Sequence, residues 1–270
     1  MTATAAELLR RGLRDHRRAL AGWCVGIVAY SALIAAIFPS IEGSADFTKL
    51  VDSYPDALKS LFGLRGGGDI GTGSGFVDAE LFSFMLPLLA IVLAVGSSAR
   101  TLAGEEDAGR LELVLAYPVR RRDAVLAKGA AVGLEVAALC TAGFVALLAV
   151  DPVFDLDLPA GQLAAALVSV GAIGIFYGWL GLAVAAWRPG RALAIGIPAA
   201  AAAGGYLVGG LQELAGWLSP FRFLSPFWWV GQAPLRNGVD GSGLLVVLVA
   251  ALAVLVVAAF LLDRRDLQTP

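Results

Sequence analysis

Charge, histidine, lysine and cysteine are all scarce in this sequence, and each shortage removes a class of protein. Only 16% of the 270 residues are charged while 58% are hydrophobic, and the mean hydropathy is +0.78. Soluble domains carry about a quarter charged residues, so an ordinary soluble fold is excluded and the chain reads as an integral membrane protein. Lys49, Lys59 and Lys128 are the only lysines and none follows a glycine. The phosphate-cradling pattern G-x-x-x-x-G-K-[ST] therefore cannot be written, and the chain has no ATP site of that kind. His16 is the sole histidine, which removes H-E-x-x-H metal chemistry and an intramembrane Ser-His pair. Cys24 and Cys140 fall in apolar runs, where a thiol is a small apolar side chain rather than part of a disulfide framework. A G-x-G-x-x-G match at Gly66, Gly68 and Gly71 lacks the βαβ surroundings of a dinucleotide site and is set aside.

What is present in abundance is apolar sequence of membrane length. A spanning helix needs about 20 mainly apolar residues. Stretches at approximately 19–38, 81–99, 124–150, 160–187, 192–211 and 243–262 qualify. Barrel strands read as short alternating segments, so the expected fold is all-α with six transmembrane helices in one domain, 1–270. An even number of spans puts both termini on one side. Arg10, Arg11, Arg14, Arg17 and Arg18 lie before the first span, with Arg100, Arg110, Arg120, Arg121, Arg122 and Lys128 around the central loop. Arg188 and Arg191 form the next cluster on that side, and Arg264 and Arg265 close the chain. By the positive-inside rule these ends face the cytoplasm, while Asp151, Asp155 and Asp157 lie opposite. The membrane accounts for the basic clusters, and no nucleic-acid partner is called for.

Residues 103–128 are the most charge-dense stretch of the chain and are too polar to span. Leu111, Val114 and Leu115 recur at i, i+3 and i+4, one face of a helix, with Glu105, Arg110 and Glu112 elsewhere on the wheel. Pro118 ends that helix. The pattern predicts a short amphipathic helix outside the bilayer, and an apolar stripe in water needs somewhere to bury. A solvated connector is the bland alternative. Gly104, Glu105, Glu106, Gly109, Leu111, Glu112, Leu115, Ala116, Pro118, Val119, Arg121 and Lys128 together resemble the cytoplasmic loop of permease subunits of the type-2 ABC exporter family. Tyr54, Pro55, Leu58, Phe62, Gly63, Gly75 and Phe76 extend the resemblance, while Arg110 departs from it, standing where that family usually has threonine. The resemblance implies a coupling helix that docks on a separate ATPase subunit through Glu105, Glu106, Gly109, Leu111, Glu112, Val114, Leu115 and Pro118. It also implies a second permease subunit, identical or paralogous. ATP and magnesium would then be held by the partner and no cofactor by this chain.

Elsewhere the residues make further expectations. Residues 5–18 read as a basic amphipathic helix in the headgroup layer, and the resemblance adds a mechanical role for it. Pro55 followed by Leu58, Leu61 and Phe62 predicts a short outer helix. Gly171, Gly174, Gly178 and Gly181 lie close to one face of the fourth span and predict close packing on another helix. Residues 212–242, rich in Trp and Phe and divided at Pro220 and Pro226, suggest short re-entrant helices before the last span. Glu135 lies about 16 Å into the third span by helical rise, near mid-membrane. It is read either as a pathway carboxylate or as a residue satisfied in a wet cavity. The leading function is the permease half of an exporter in the cytoplasmic membrane driven by a separate ATPase. A stand-alone ion- or proton-coupled transporter using Glu135 is one alternative, although the inverted repeats that would favour it are not evident. A non-transporting membrane scaffold is another.

Overall fold

The computed structural model describes residues 3–64, 70–104, 120–231 and 233–264. Among these residues all regular structure is helical. Six helices are long and apolar enough to cross a membrane. They are α1 (Ala3–Ile37), α4 (Gly73–Ala103), α5 (Arg121–Phe154), α6 (Ala160–Trp187), α7 (Arg191–Leu211) and α10 (Gly241–Arg264). Four short helices occupy the end away from the chain termini: α2 (Ala45–Asp52), α3 (Asp56–Leu61), α8 (Pro226–Val230) and α9 (Pro234–Asn237).

Local chemistry sets most of the boundaries. Thr72 caps α4, its hydroxyl accepting the Gly75 N–H at 3.2 Å. This cap starts the helix well before Leu81, where the apolar run begins. Pro189 and Gly190, at φ +124°, end α6 and admit the turn into α7 expected at Arg188–Arg191. The Asp240 carboxylate accepts the backbone N–H groups of Ser242 and Gly243 and the Ser242 hydroxyl at the start of α10. The hydrogen bonds from Ser242 hold its carboxyl below the usual range. Pro55 precedes α3 as its N-cap, in keeping with the helix expected there.

α6 is the axis of the bundle. It packs on α4, α5, α7 and α10, and seventeen of its residues are buried. A Cβ on Gly174 would stand 2.9 Å from the Ala90 Cβ, one on Gly178 2.7 Å from that of Ala94, and one on Gly181 3.3 Å from that of Ser98. The glycine face thus meets a stripe of small residues on α4, which runs in the same direction. The Ser98 hydroxyl closes the seam by donating to the Gly178 carbonyl at 2.6 Å.

Two expectations are corrected. Residues 5–18 are helical but not a helix apart from the first span: they are the first half of the continuous 35-residue α1, which meets no proline before Pro39. The segment 212–242 is divided differently from the expectation. Pro220 lies inside a 3-10 turn over Gly216–Leu224, while Pro226 and Pro234 each open a helix, where a missing N–H costs nothing.

Candidate functional site

The coupling residues read from the sequence, Glu105, Glu106, Gly109, Leu111, Glu112, Val114, Leu115 and Pro118, lie outside the described residues. What can be built is the platform from which that stretch leaves and to which it returns. α4 ends in a wide π turn over Ala99–Ala103, with Thr101, Leu102 and Ala103 buried. The Lys128 side chain, buried in α5, donates to the Thr101 carbonyl and ties the two helices across the stretch they flank. The Arg122 guanidinium reaches Asp263 Oδ2 through Nη2 at 2.7 Å and Nε at 2.9 Å, joining the start of α5 to the end of α10. Val125, Leu182, Ala186, Leu255, Ala258 and Leu262 pack into one core beneath these contacts. The described residues on both sides of 105–119 therefore belong to a corner where four helices meet.

One helix seam away stands Glu135, only 1% exposed. Its Oε1 lies 2.9 Å from His16 Nδ1 on α1, and its Oε2 has no hydrogen-bond partner among the described residues. The side chain points into the α1–α5 seam, and its neighbour is the sole histidine of the sequence. Because α1 is continuous, His16 is carried alongside the body of α5. Residue spacing alone could not show this, since the pair is separated by 119 positions.

A second buried carboxylate, with no signal in the sequence pattern, lies at the opposite end. Asp78, fully buried in the first turns of α4, accepts the backbone N–H groups of Leu235 and Arg236 at 3.0 Å each and faces the Arg236 guanidinium at 3.5 Å. Arg236 in turn donates to the Gly63 carbonyl at 2.8 Å. The α4 backbone is wound as a π-helix from Asp78 to Met85, a geometry frequent at functional positions. Below α8 and α9 a cavity of about 40 Å³ is lined by Ser83, Ser169, Tyr206 and Phe227 among others, room for water rather than for a drug-sized molecule. These side chains hold helices in register, and none of the arrangements described here is a nucleophile with its base.

The family model described as "Multidrug efflux system permease Rv1217c, C-terminal domain" matches residues 11–262, nearly the whole chain. The chain belongs to this family of efflux permeases. A comparison with curated proteins found no match. Six apolar helices and this membership make the permease a multi-pass membrane protein and a transport component rather than an enzyme. The matched segment includes both buried carboxylates, the α4–α6 glycine seam and the corner that flanks 105–119.

Proposed function

We propose that this permease is the membrane subunit of an ATP-binding-cassette exporter in the cytoplasmic membrane, driven by a separate ATPase that docks on residues 105–119. The observation that carries the reading is the corner built by Lys128, Thr101, Arg122 and Asp263. A loop whose two ends are fixed to four helices transmits a push to the bundle, whereas a slack connector absorbs it. The apolar stripe Leu111, Val114 and Leu115 supplies the contact, and Glu105, Glu106 and Glu112 set its register. ATP and magnesium belong to the partner. Substrate passes between two permease subunits rather than through one, because α6 and its neighbours fill the middle of the protomer. The basic end, which holds both described ends of the chain, faces the cytoplasm.

The test is the Leu111→Asp/Leu115→Asp variant. Burying each leucine is worth roughly 1.5–3 kcal/mol, so losing both and desolvating two carboxylates removes the contact. Membrane insertion is expected to persist, since it depends on the spans, while co-purification of the ATPase and ATP-driven efflux are lost together. Normal insertion with an undiminished partner and full efflux would reduce the stretch to a connector.

A further inference from the structure

α1 and α5 run side by side in the same direction, and their seam can be followed residue by residue. A Cβ placed on Gly12 lies 3.8 Å from that of Ala131, His16 meets Glu135 at 2.9 Å, and the Cys24 thiol approaches the Ala138 carbonyl at 3.9 Å. A Cβ on Gly143 would stand 3.7 Å from Ile27. Of these four contacts only the one between His16 and Glu135 joins two ionisable side chains. There the carboxylate is buried, one oxygen is held by the imidazole, and the other has no partner among the described residues. A buried carboxylate stripped of its one partner is costly. Sliding α1 by one turn, about 5.4 Å, would set Gly12 or Leu20 against Glu135, and neither side chain can hydrogen-bond. The pair therefore fixes the register of the two helices as well as their association.

α5 is the helix into which residues 105–119 lead, whereas α1 has no covalent link to that stretch. We infer that His16 and Glu135 are positioning residues for transport: they make α1 and α5 one rigid body, so that displacement of α5 by the ATPase is delivered to α1. This rests on the ATPase reading above, but its tests are separate. The pair touches neither nucleotide nor substrate in this role. It acts by keeping α1 in step.

The distance between Gly12 and Ala131 matches the mean Cβ separation of a disulfide, about 3.8 Å, so the seam can be tested covalently. Gly12→Cys/Ala131→Cys is built with Cys24→Ala and Cys140→Ala and oxidised with copper phenanthroline in membranes that also contain the ATPase. Cross-linking is expected to be equally fast without nucleotide and with vanadate-trapped ATP. A yield that collapses on trapping would mean that α1 leaves α5 during the cycle, and the inference fails. Adding Glu135→Leu is expected to slow cross-linking roughly fivefold or more. In cells, with the native seam, Glu135→Leu is expected to lower ethidium efflux per ATP hydrolysed by a similar factor, read against wild-type efflux of the same dye. The swap His16→Glu/Glu135→His restores both readouts. If Glu135→Leu does not insert, His16→Leu makes the same comparison from α1. Unchanged cross-linking and efflux in both single variants also overturn the inference. Retention of the ATPase and full efflux by Leu111→Asp/Leu115→Asp would instead sink docking on residues 105–119, while the cross-linking arm still reports whether the two helices move together.

Discussion

Asp78 does for the end of the permease away from the described chain ends what a cap does for a single helix. Two backbone N–H groups of α9 would be orphaned without its carboxylate, and the Arg236 guanidinium would lose its counter-charge in a largely buried position. Removing one member of such a pair costs about 3–5 kcal/mol, because the remaining charge stays buried without compensation. Asp78→Ala is accordingly expected to lower the thermal unfolding midpoint of the detergent-purified protein markedly. Asp78→Asn, whose amide oxygen still accepts, should fall between the two. Equal midpoints for wild type and Asp78→Ala would show that the N–H groups find other partners. Glu135 stands out in the sequence because apolar residues flank it on both sides, whereas Asp78 does not, because it precedes the apolar run that begins at Leu81. The cap at Thr72 carries the helix eight residues further out and takes Asp78 into the bundle. The His16–Glu135 pair is hidden for a related reason: an acid-base pair separated by more than a hundred positions becomes visible only when the helices are set side by side.

At the scale of elements, the seam between α4 and α6 was legible and the course of α1 was not. The glycines of α6 repeat at helical spacing, and spacing is enough to define a face. The face fits because Ala90, Ala94 and Ser98 repeat on α4 in step with it. A side chain at Gly178 has no room beside Ala94 and Val132, where an added Cβ would stand 2.7 Å and 3.1 Å from the nearest carbons. Overpacking of this kind costs about 1–3 kcal/mol or more. Gly178→Leu is expected to reduce the folded, monodisperse yield in size-exclusion chromatography, with Gly178→Ala less severe. Gly196→Leu, in open space on α7, is the control and should behave like wild type. If both leucine variants elute alike, the seam tolerates expansion and the α4–α6 contact is looser than drawn. The basic composition of residues 5–18 was a fair guide to chemistry but a poor one to geometry. Charge pattern reports what a helix face tolerates, whereas continuity of the backbone depends on a breaker, and there is none.

The whole molecule adds a constraint that no single helix carries. α1 begins beside the start of α5, as the parallel pairing from Gly12–Ala131 to His16–Glu135 requires, and α10 ends beside Arg122 through Asp263. Both described ends of the chain therefore lie at the end of the bundle that carries Arg100, Arg120, Arg121, Arg122, Arg188 and Arg191. The other end presents Asp155 and Asp157 in left-handed backbone conformations, with Leu156 and Leu158 turned inward as anchors. It also carries Trp217 and Leu224, 72% and 79% exposed on the 3-10 turn, as expected of side chains that sit in a membrane interface. The segregation of basic residues sets the direction in which such a bundle inserts, so the basic end should face the cytoplasm. Three single-cysteine variants, each with Cys24→Ala and Cys140→Ala, check this: Glu7→Cys, Asp157→Cys and Arg264→Cys, all at exposed positions. A membrane-impermeant maleimide added to intact cells is expected to label Asp157→Cys alone, and to reach the other two only after the membrane is permeabilised. Labelling of all three from outside would contradict six crossings. Labelling of only the two terminal positions would keep the bundle and invert it, moving the 105–119 stretch away from any cytoplasmic ATPase and removing the basis for the proposed function.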